Sequence, residues 1–284
     1  ESNAGSGGVL VPAPMSAKVL DVARATSRVM EAGAVTVPME SSTLKIGRQT
    51  GDVALEWHTE GEQIDESGLT FDAVTLRAHT LPVLVKLSME MLEDVDGIDA
   101  LVTNAVAKSM GLELDRVALR GSGTDPEPKG LRNTSGVTIL QAGGADGAPA
   151  TWGTLINAVA AVKGQNYQPN ASIHAVRTEI DLGTQTNAQD DYLRPPPLLD
   201  NVQRLDTTQV PINLTKGTST DASEIYVGQW DQLMIGLRTS FTVQPLNELY
   251  ADTGERGILC YLRADVAPAH AAAFTVVDGV TAAD

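Results

Sequence analysis

The residues able to do chemistry in this chain are few and scattered. Asp94, Asp96 and Asp99, in the run Asp94-Val95-Asp96-Gly97-Ile98-Asp99, have the alternation with which carboxylates open a calcium loop. Such a loop needs about 12 residues closed by a bidentate glutamate, and here the acids stop after three. The run reads better as a helix N-terminus, where negative side chains oppose the dipole and cap free N–H groups. Gly121-Ser122-Gly123-Thr124-Asp125 offers the backbone of a phosphate cradle. It lacks the Gly-Lys-Ser/Thr ending and follows a helical pattern instead of a strand. His58, His79, His174 and His270 are too dispersed for a metal site. His58 and His79 could face each other across a hairpin, but two ligands do not make a zinc centre. Cys260, inside the apolar run Ile258-Leu259-Cys260-Tyr261, reads as a small core residue and not as a nucleophile. No Gly-x-Ser-x-Gly elbow occurs. Nothing here demands catalysis, so no catalytic residue, cofactor or metal is expected, and the chain is not expected to be an enzyme.

The strongest element signal is the stretch from Met89 to Asn133. Acids Glu93, Asp94, Asp96 and Asp99 mark a helix start, and Gly121-Ser122-Gly123 with Pro126 and Pro128 mark its end. At 100° steps the helix carries two apolar stripes. Leu101, Ala105, Leu112 and Leu119 share one face, and Val106, Met110, Leu114 and Val117 lie nearly opposite. Polar rows separate them: Asn104, Lys108 and Asp115 on one side, then Ser109, Glu113, Arg116 and Arg120. A surface helix has one apolar stripe, so this one is expected to pack on both sides.

Before it, residues 1–15 are Gly- and Pro-rich and Ser16–Met30 reads as a short helix. Strand character follows at Thr43–Ile46, Val53–His58, Leu69–Arg77 and Val83–Leu87, making a long two-stranded element with the acidic tip Glu60–Gly68. A hairpin of that kind is marginal alone and exposes two edges. It needs something to lie on. After the long helix, Val137–Leu140 reads as a strand, Trp152–Lys163 as an amphipathic helix, Ala171–Val176 as a buried strand and Arg177–Gln185 as a short helix. Pro195-Pro196-Pro197 excludes regular structure nearby. Val210–Leu214, Glu224–Val227, Leu233–Arg238, Phe241–Gln244, Arg256–Val266 and Ala273–Val277 complete the strands. Helices and strands intermix with mostly antiparallel connections, so the class is α+β.

Composition narrows the function classes. The chain has 284 residues, room for one large domain or two small ones, with 42% hydrophobic and 20% charged residues. Aromatics are only 4%, which argues against a ring-lined ligand pocket or a base-stacking platform. The net charge of -16 opposes wrapping of nucleic acid. The single cysteine makes a reducing cytoplasm the default. No membrane span or signal peptide is visible, and a start at Glu1 implies processing or an excerpt.

Met89-x-x-Leu92-Glu93-Asp94, the long helix, and Ala118-Leu-Arg-Gly-Ser-Gly-Thr-Asp-Pro-Glu-Pro-Lys-Gly-Leu-Arg-Asn133 together resemble the long "spine" helix and exit turn of tailed-phage major capsid proteins of the Hong Kong 97 type. Gly7-Gly8-Val9-Leu10-Val11-Pro12 resembles the opening motif of that family, and the order of later segments fits across nearly the whole chain. The resemblance implies an α+β Hong Kong 97-type capsid fold, in which 1–25 is an N-terminal arm, 43–81 an extension loop resting on the adjacent subunit and 136–237 an axial domain. Residues 26–42, 82–135 and 238–265 would form the peripheral domain, and 266–284 would return to the axial one. It implies a structural shell subunit, possessing no cofactor, that forms hexamers and pentamers of its own copies and encloses double-stranded DNA without sequence-specific binding. Portal and decoration proteins are the implied partners, no membrane is involved, and the site is the virion, assembled in the bacterial host cytoplasm. Glu60, Glu62, Ile64, Asp65 and Glu66 of the loop and Val9, Leu10 and Val11 of the arm are the implied inter-subunit residues. Some members of the family join a loop-tip lysine covalently to a neighbour's asparagine beside a glutamate. Here Ile64, Gly254 and Tyr261 occupy those positions, which implies a non-covalent shell. Two rivals stand beside this reading: an encapsulin-like compartment shell, which shares the fold, and a soluble hydrolase with an unrecognised site.

Overall fold

The computed structural model describes residues 27–51, 57, 68–90, 98–246 and 250–283. Along the chain these give α1 (Arg28–Glu31), β1 (Val35–Pro38), β2 (Thr43–Gly51), β3 (Thr70–Arg77), β4 (His79–Ser88), α2 (Ile98–Arg120), β5 (Thr138–Gln141), β6 (Ala148–Pro149), α3 (Trp152–Lys163), β7 (Ala171–Ala175), α4 (Val176–Gly183), β8 (Gln203–Thr207), β9 (Leu214–Lys216), β10 (Ser219–Gly228), β11 (Leu233–Leu246), β12 (Glu255–Pro268) and β13 (Phe274–Thr281). Six of the ten strand pairings are antiparallel and four parallel, and the class is α+β.

The larger sheet runs β5-β13-β10-β7-β8, with β6 and β9 added at its margins. Its central strands are covered on both faces, and all five residues of β7 are buried, as expected for a sheet with layers on each side. One layer is α3, whose Trp152, Leu155, Ala158, Val159 and Val162 recur at helical spacing and are buried. Thr151 caps it, its hydroxyl accepting from the Thr154 N–H at 3.2 Å. That layer encloses Ile225, Val227, Val277 and Val280. The opposite face gives Ile173, Leu205, Tyr226, Phe274 and Val276 to a second core, which α2 shares.

The smaller sheet runs β1-β11-β12-β4. Phe241, Cys260, Leu262, Ala264 and Val266 line its buried side together with Val106, Met110, Leu114 and Ala118 of α2. At 23 residues α2 is about 34 Å long, and one continuous core ties it to both sheets. β2 and β3 form a separate two-stranded ribbon. Only its root is buried, at Val74 and Leu76, while Phe71 is 72% exposed.

Several expectations need correction. Among the described residues the first half of the long helix is buried along one side only, and burial widens toward its C-terminal end. Val106, Met110, Leu114 and Val117 are buried, but Leu101 is 68% exposed and Ala105 is exposed, and of the opposing stripe only Leu119 is fully covered. Among the described residues, cover on the opposing stripe is confined to its C-terminal end, with Leu119 buried and Leu112 half-buried. Asp115, placed in a polar row, is completely buried. Val83–Leu87 does not extend the hairpin: β4 pairs with β12 in the smaller sheet, because its apolar residues alternate toward α2. Leu233–Arg238 and Phe241–Gln244 are one strand with register shifts. Val210 is buried in a turn, and the strand there starts only at Leu214. Pro197 opens a 3₁₀ turn, a position where its missing N–H costs nothing. Expectations for Val53–Glu56, His58, the acids 93–96 and all but the last residues of the Ser16–Met30 helix lie outside the described residues.

Candidate functional site

The turn that ends α2 is built by close backbone approach. A Cβ on Gly121 would sit 2.3 Å from the Pro128 carbonyl, and one on Gly130 would sit 2.3 Å from the Gly121 nitrogen. Real Cβ atoms do not come so near, so both positions need glycine. The Gly130 N–H donates to the Gly121 carbonyl at 3.0 Å, and Asn133 Nδ2 donates to the same carbonyl at 2.8 Å. Leu131 fills the core beneath. The string Gly-Leu-Arg-Asn thereby closes the helix end.

Arg132, in the same string, and Arg120, in the last turn of α2, both reach the buried carboxylate of Glu224 on β10. The Tyr226 hydroxyl donates to it at 2.6 Å, and burial beside that carboxylate pushes Tyr226 far above its ordinary range. Arg132 and Lys216 also pair with Asp278 on β13 at 3.4 and 2.9 Å. A carboxylate so deep requires this compensation. The network pins the C-terminal end of α2 to the larger sheet.

Asp115 pins the middle of α2 to the chain that precedes β1. The Ser27 hydroxyl donates to Asp115 Oδ1 at 2.5 Å, and the N–H groups of Val29 and Arg28 donate to its two oxygens at 3.1 and 2.7 Å. Ser27 caps α1 by accepting from the Met30 N–H, and a carboxylate from a distant helix takes the two N–H groups that this cap leaves free. Burial pushes its carboxyl above the usual range, against the pull of these three donors.

The ribbon is fixed at its root in the same manner. Asp265 on β12 accepts from the Arg77 N–H at 2.5 Å and from the Val266 N–H at 2.8 Å, and burial raises its carboxyl. Arg48 Nη1 donates to the Ala269 carbonyl at 3.0 Å. Between this root and the glycine turn lies a cleft of about 460 Å³, lined in part by Arg48, Arg77, His79, Lys129 and Asp265. A more apolar cleft of about 280 Å³ adjoins it, sharing His79 and Glu127.

The chemistry-bearing residues named from sequence are not brought together. His79 faces Asp125 at 3.6 Å, His174 is buried against Glu179 at 2.9 Å, and His270 lies near the Tyr167 ring. Cys260 is buried, its thiol pushed up to about 11 by desolvation. The residues expected to be inter-subunit, Val9, Leu10, Val11, Glu60, Glu62, Ile64, Asp65 and Glu66, lie outside the described residues. Gly254 and Tyr261 are both described: Gly254 is in open space and Tyr261 stands opposite Pro82 within the smaller sheet. Sequence reasoning missed Asp115, Glu224 and Asp265. The signal available for Glu224 was an acid inside an apolar strand pattern; for Asp115 and Asp265 nothing local distinguishes them from surface acids.

A family model described as the phage capsid family matches residues 7–279. The major capsid protein of Klebsiella oxytoca phage phiKO2 is 26% identical over 130 residues, which is 45% of this chain and only 30% of that protein's length. Among solved structures, the capsid of a native GTA particle superposes with a TM-score of 0.70 at 16% identity, covering 99% of this chain and 95% of that one. A chain of Mycobacterium phage Adephagia gives a TM-score of 0.70 at 14% identity over 91% of each.

Proposed function

The chain belongs to the phage capsid family, and from that premise we propose that it is a major capsid subunit, a structural protein whose activity is assembly into a closed shell of phage or GTA type. The observation that carries this reading is the β2–β3 ribbon. A two-stranded ribbon is marginal alone, yet this one leaves Phe71 at 72% and Leu69 at 47% exposure beyond a root anchored by Asp265. A folded monomer gains little from such an element, whereas a shell subunit uses it to overlap its neighbour.

In this reading the larger sheet with α3 and α4 is the axial domain around the capsomer axes, and the smaller sheet with α2 is the peripheral domain. Residues 43–81 act as the extension loop and 1–25 as the arm, with Glu60–Glu66 and Val9–Val11 contacting neighbours. Hexamers and pentamers would enclose double-stranded DNA in a virion assembled in the host cytoplasm, with a portal and decoration proteins as further partners. Each contact can be weak, because every subunit engages several neighbours at high effective concentration. The wall needs no affinity for its contents, which suits a chain of net charge -16. Negative-stain microscopy of purified protein tests the reading: closed shells are expected, and free monomers at all concentrations would defeat it. Shells filled with a cargo enzyme in place of DNA would favour the compartment alternative.

A further inference from the structure

We propose that the cleft at the ribbon root is the seat of the acidic segment Glu60–Glu66 of a second copy of the chain; this rests on the shell reading and specifies one of its contacts. The acids that line the cleft already have partners. Asp265 holds two backbone N–H groups, Glu127 holds Arg116 and the Ser122 hydroxyl, and Asp125 faces His79. Of the cations, Arg48 pairs with Asp72 at 3.0 Å, and the other two do not share its position. Among the described residues Arg77 and Lys129 have no ion-pair partner for their side chains, and Arg48 Nε is buried without an acceptor. The hydroxyls of Thr75 and Ser135 stand beside them.

Two cations without an ion-pair partner in one cleft stand out in a chain with 36 acidic and 20 basic residues. Such a cleft attracts a carboxylate-rich segment and fixes its register. The run Glu60-Gly61-Glu62-Gln63-Ile64-Asp65-Glu66 places four carboxylates within seven residues and contains no cation. Its one apolar side chain, Ile64, matches the adjoining cleft, whose walls include Leu81, Pro82, Pro126 and Pro128. A second copy is the natural source, because assembly holds copies of both surfaces at high effective concentration.

Charge reversal tests the seat. Arg77→Glu with Lys129→Glu reverses the cleft, and Glu62→Lys with Glu66→Lys reverses the segment. Shell yield at low salt, read by sedimentation, should fall at least tenfold for either pair and recover when both pairs are present in one chain. A synthetic peptide of residues 58–68 should bind isolated wild-type subunits, weaken with added salt, and bind the reversed cleft at least tenfold less well. Lys129→Glu alone, at an exposed position away from Asp265, should show a smaller loss with unchanged thermal unfolding, separating the effect from misfolding. Wild-type shell yield from both reversed pairs, failure of the combination to recover, or peptide binding that is absent or equal in the two proteins would overturn the seat while leaving the shell reading intact. If wild-type protein forms no shells, the shell reading fails, and the peptide titration alone decides the seat.

Discussion

Asp115 shows how one side chain can hold two distant parts of a chain. It is fully buried and satisfies the Ser27 hydroxyl and the N–H groups of Arg28 and Val29. Asp115→Ala leaves those donors buried without acceptors, and each such group costs about 1–3 kcal/mol. The unfolding free energy of the isolated subunit should fall by roughly 2–4 kcal/mol, read from the shift of a urea midpoint. A change below the noise of that measurement would show that water reaches α1. Glu127 makes a pH-dependent contribution of known sign. Donation from the Ser122 hydroxyl, and after it from Arg116, holds its carboxyl below the usual range. A lowered carboxyl adds stability above its unfolded-state range and loses it as pH falls through the folded value. Glu127→Gln should therefore be less stable than wild type at pH 7, and the gap should close on acidification below about pH 4, in denaturation measured at both values. A gap of constant size would exclude this assignment.

Elements with a strong local period were legible before any coordinates. Trp152–Lys163 is found as read, because one apolar stripe and a Thr cap agree. The glycine exit of α2 was also legible, since Gly121 and Gly130 are required by contacts within a few residues. Burial on α2 was not legible. A helical wheel gives the angle of Leu101 and of Met110 but not which side the sheets occupy. The expected outcome is now asymmetric: Met110→Ala should cost about 2–5 kcal/mol, whereas Leu101→Ala should stay within about 0.5 kcal/mol in the isolated subunit, with Leu112→Ala between them. Equal losses at Met110 and Leu101 would restore the two-sided helix. The acids at the site were hidden for a related reason. Asp115, Glu224 and Asp265 each serve partners far away in sequence, so no window around them carries the signal.

At the scale of the whole molecule, the proposed shell is expected to hold without covalent joining of subunits. The resemblance sets Ile64 where an amine nucleophile would stand, and the positions it matches to Gly254 and Tyr261 offer neither a side-chain amide nor a carboxylate base. Particles boiled in detergent and reductant should run as a single band near 29.9 kDa. A ladder that survives both treatments would require another cross-link.

The smaller sheet also sets a timetable for folding. β1 pairs with β11 from Val35↔Met234, and β4 pairs with β12 from Ser88↔Glu255 to His79↔Ala264. The partners of β1 and β4 are therefore translated about 170–200 residues later. Contacts so distant in sequence are slow to close, and unpaired strand edges invite aggregation while they wait. Of the strands before α2, the β2–β3 ribbon alone finds its described partner early, and it does so without a core of its own. A nascent chain ending before Glu255 must carry the edge of β4 and the apolar side of α2 into solvent together. A copy that meets another in this state meets it through strands meant for its own C-terminal half.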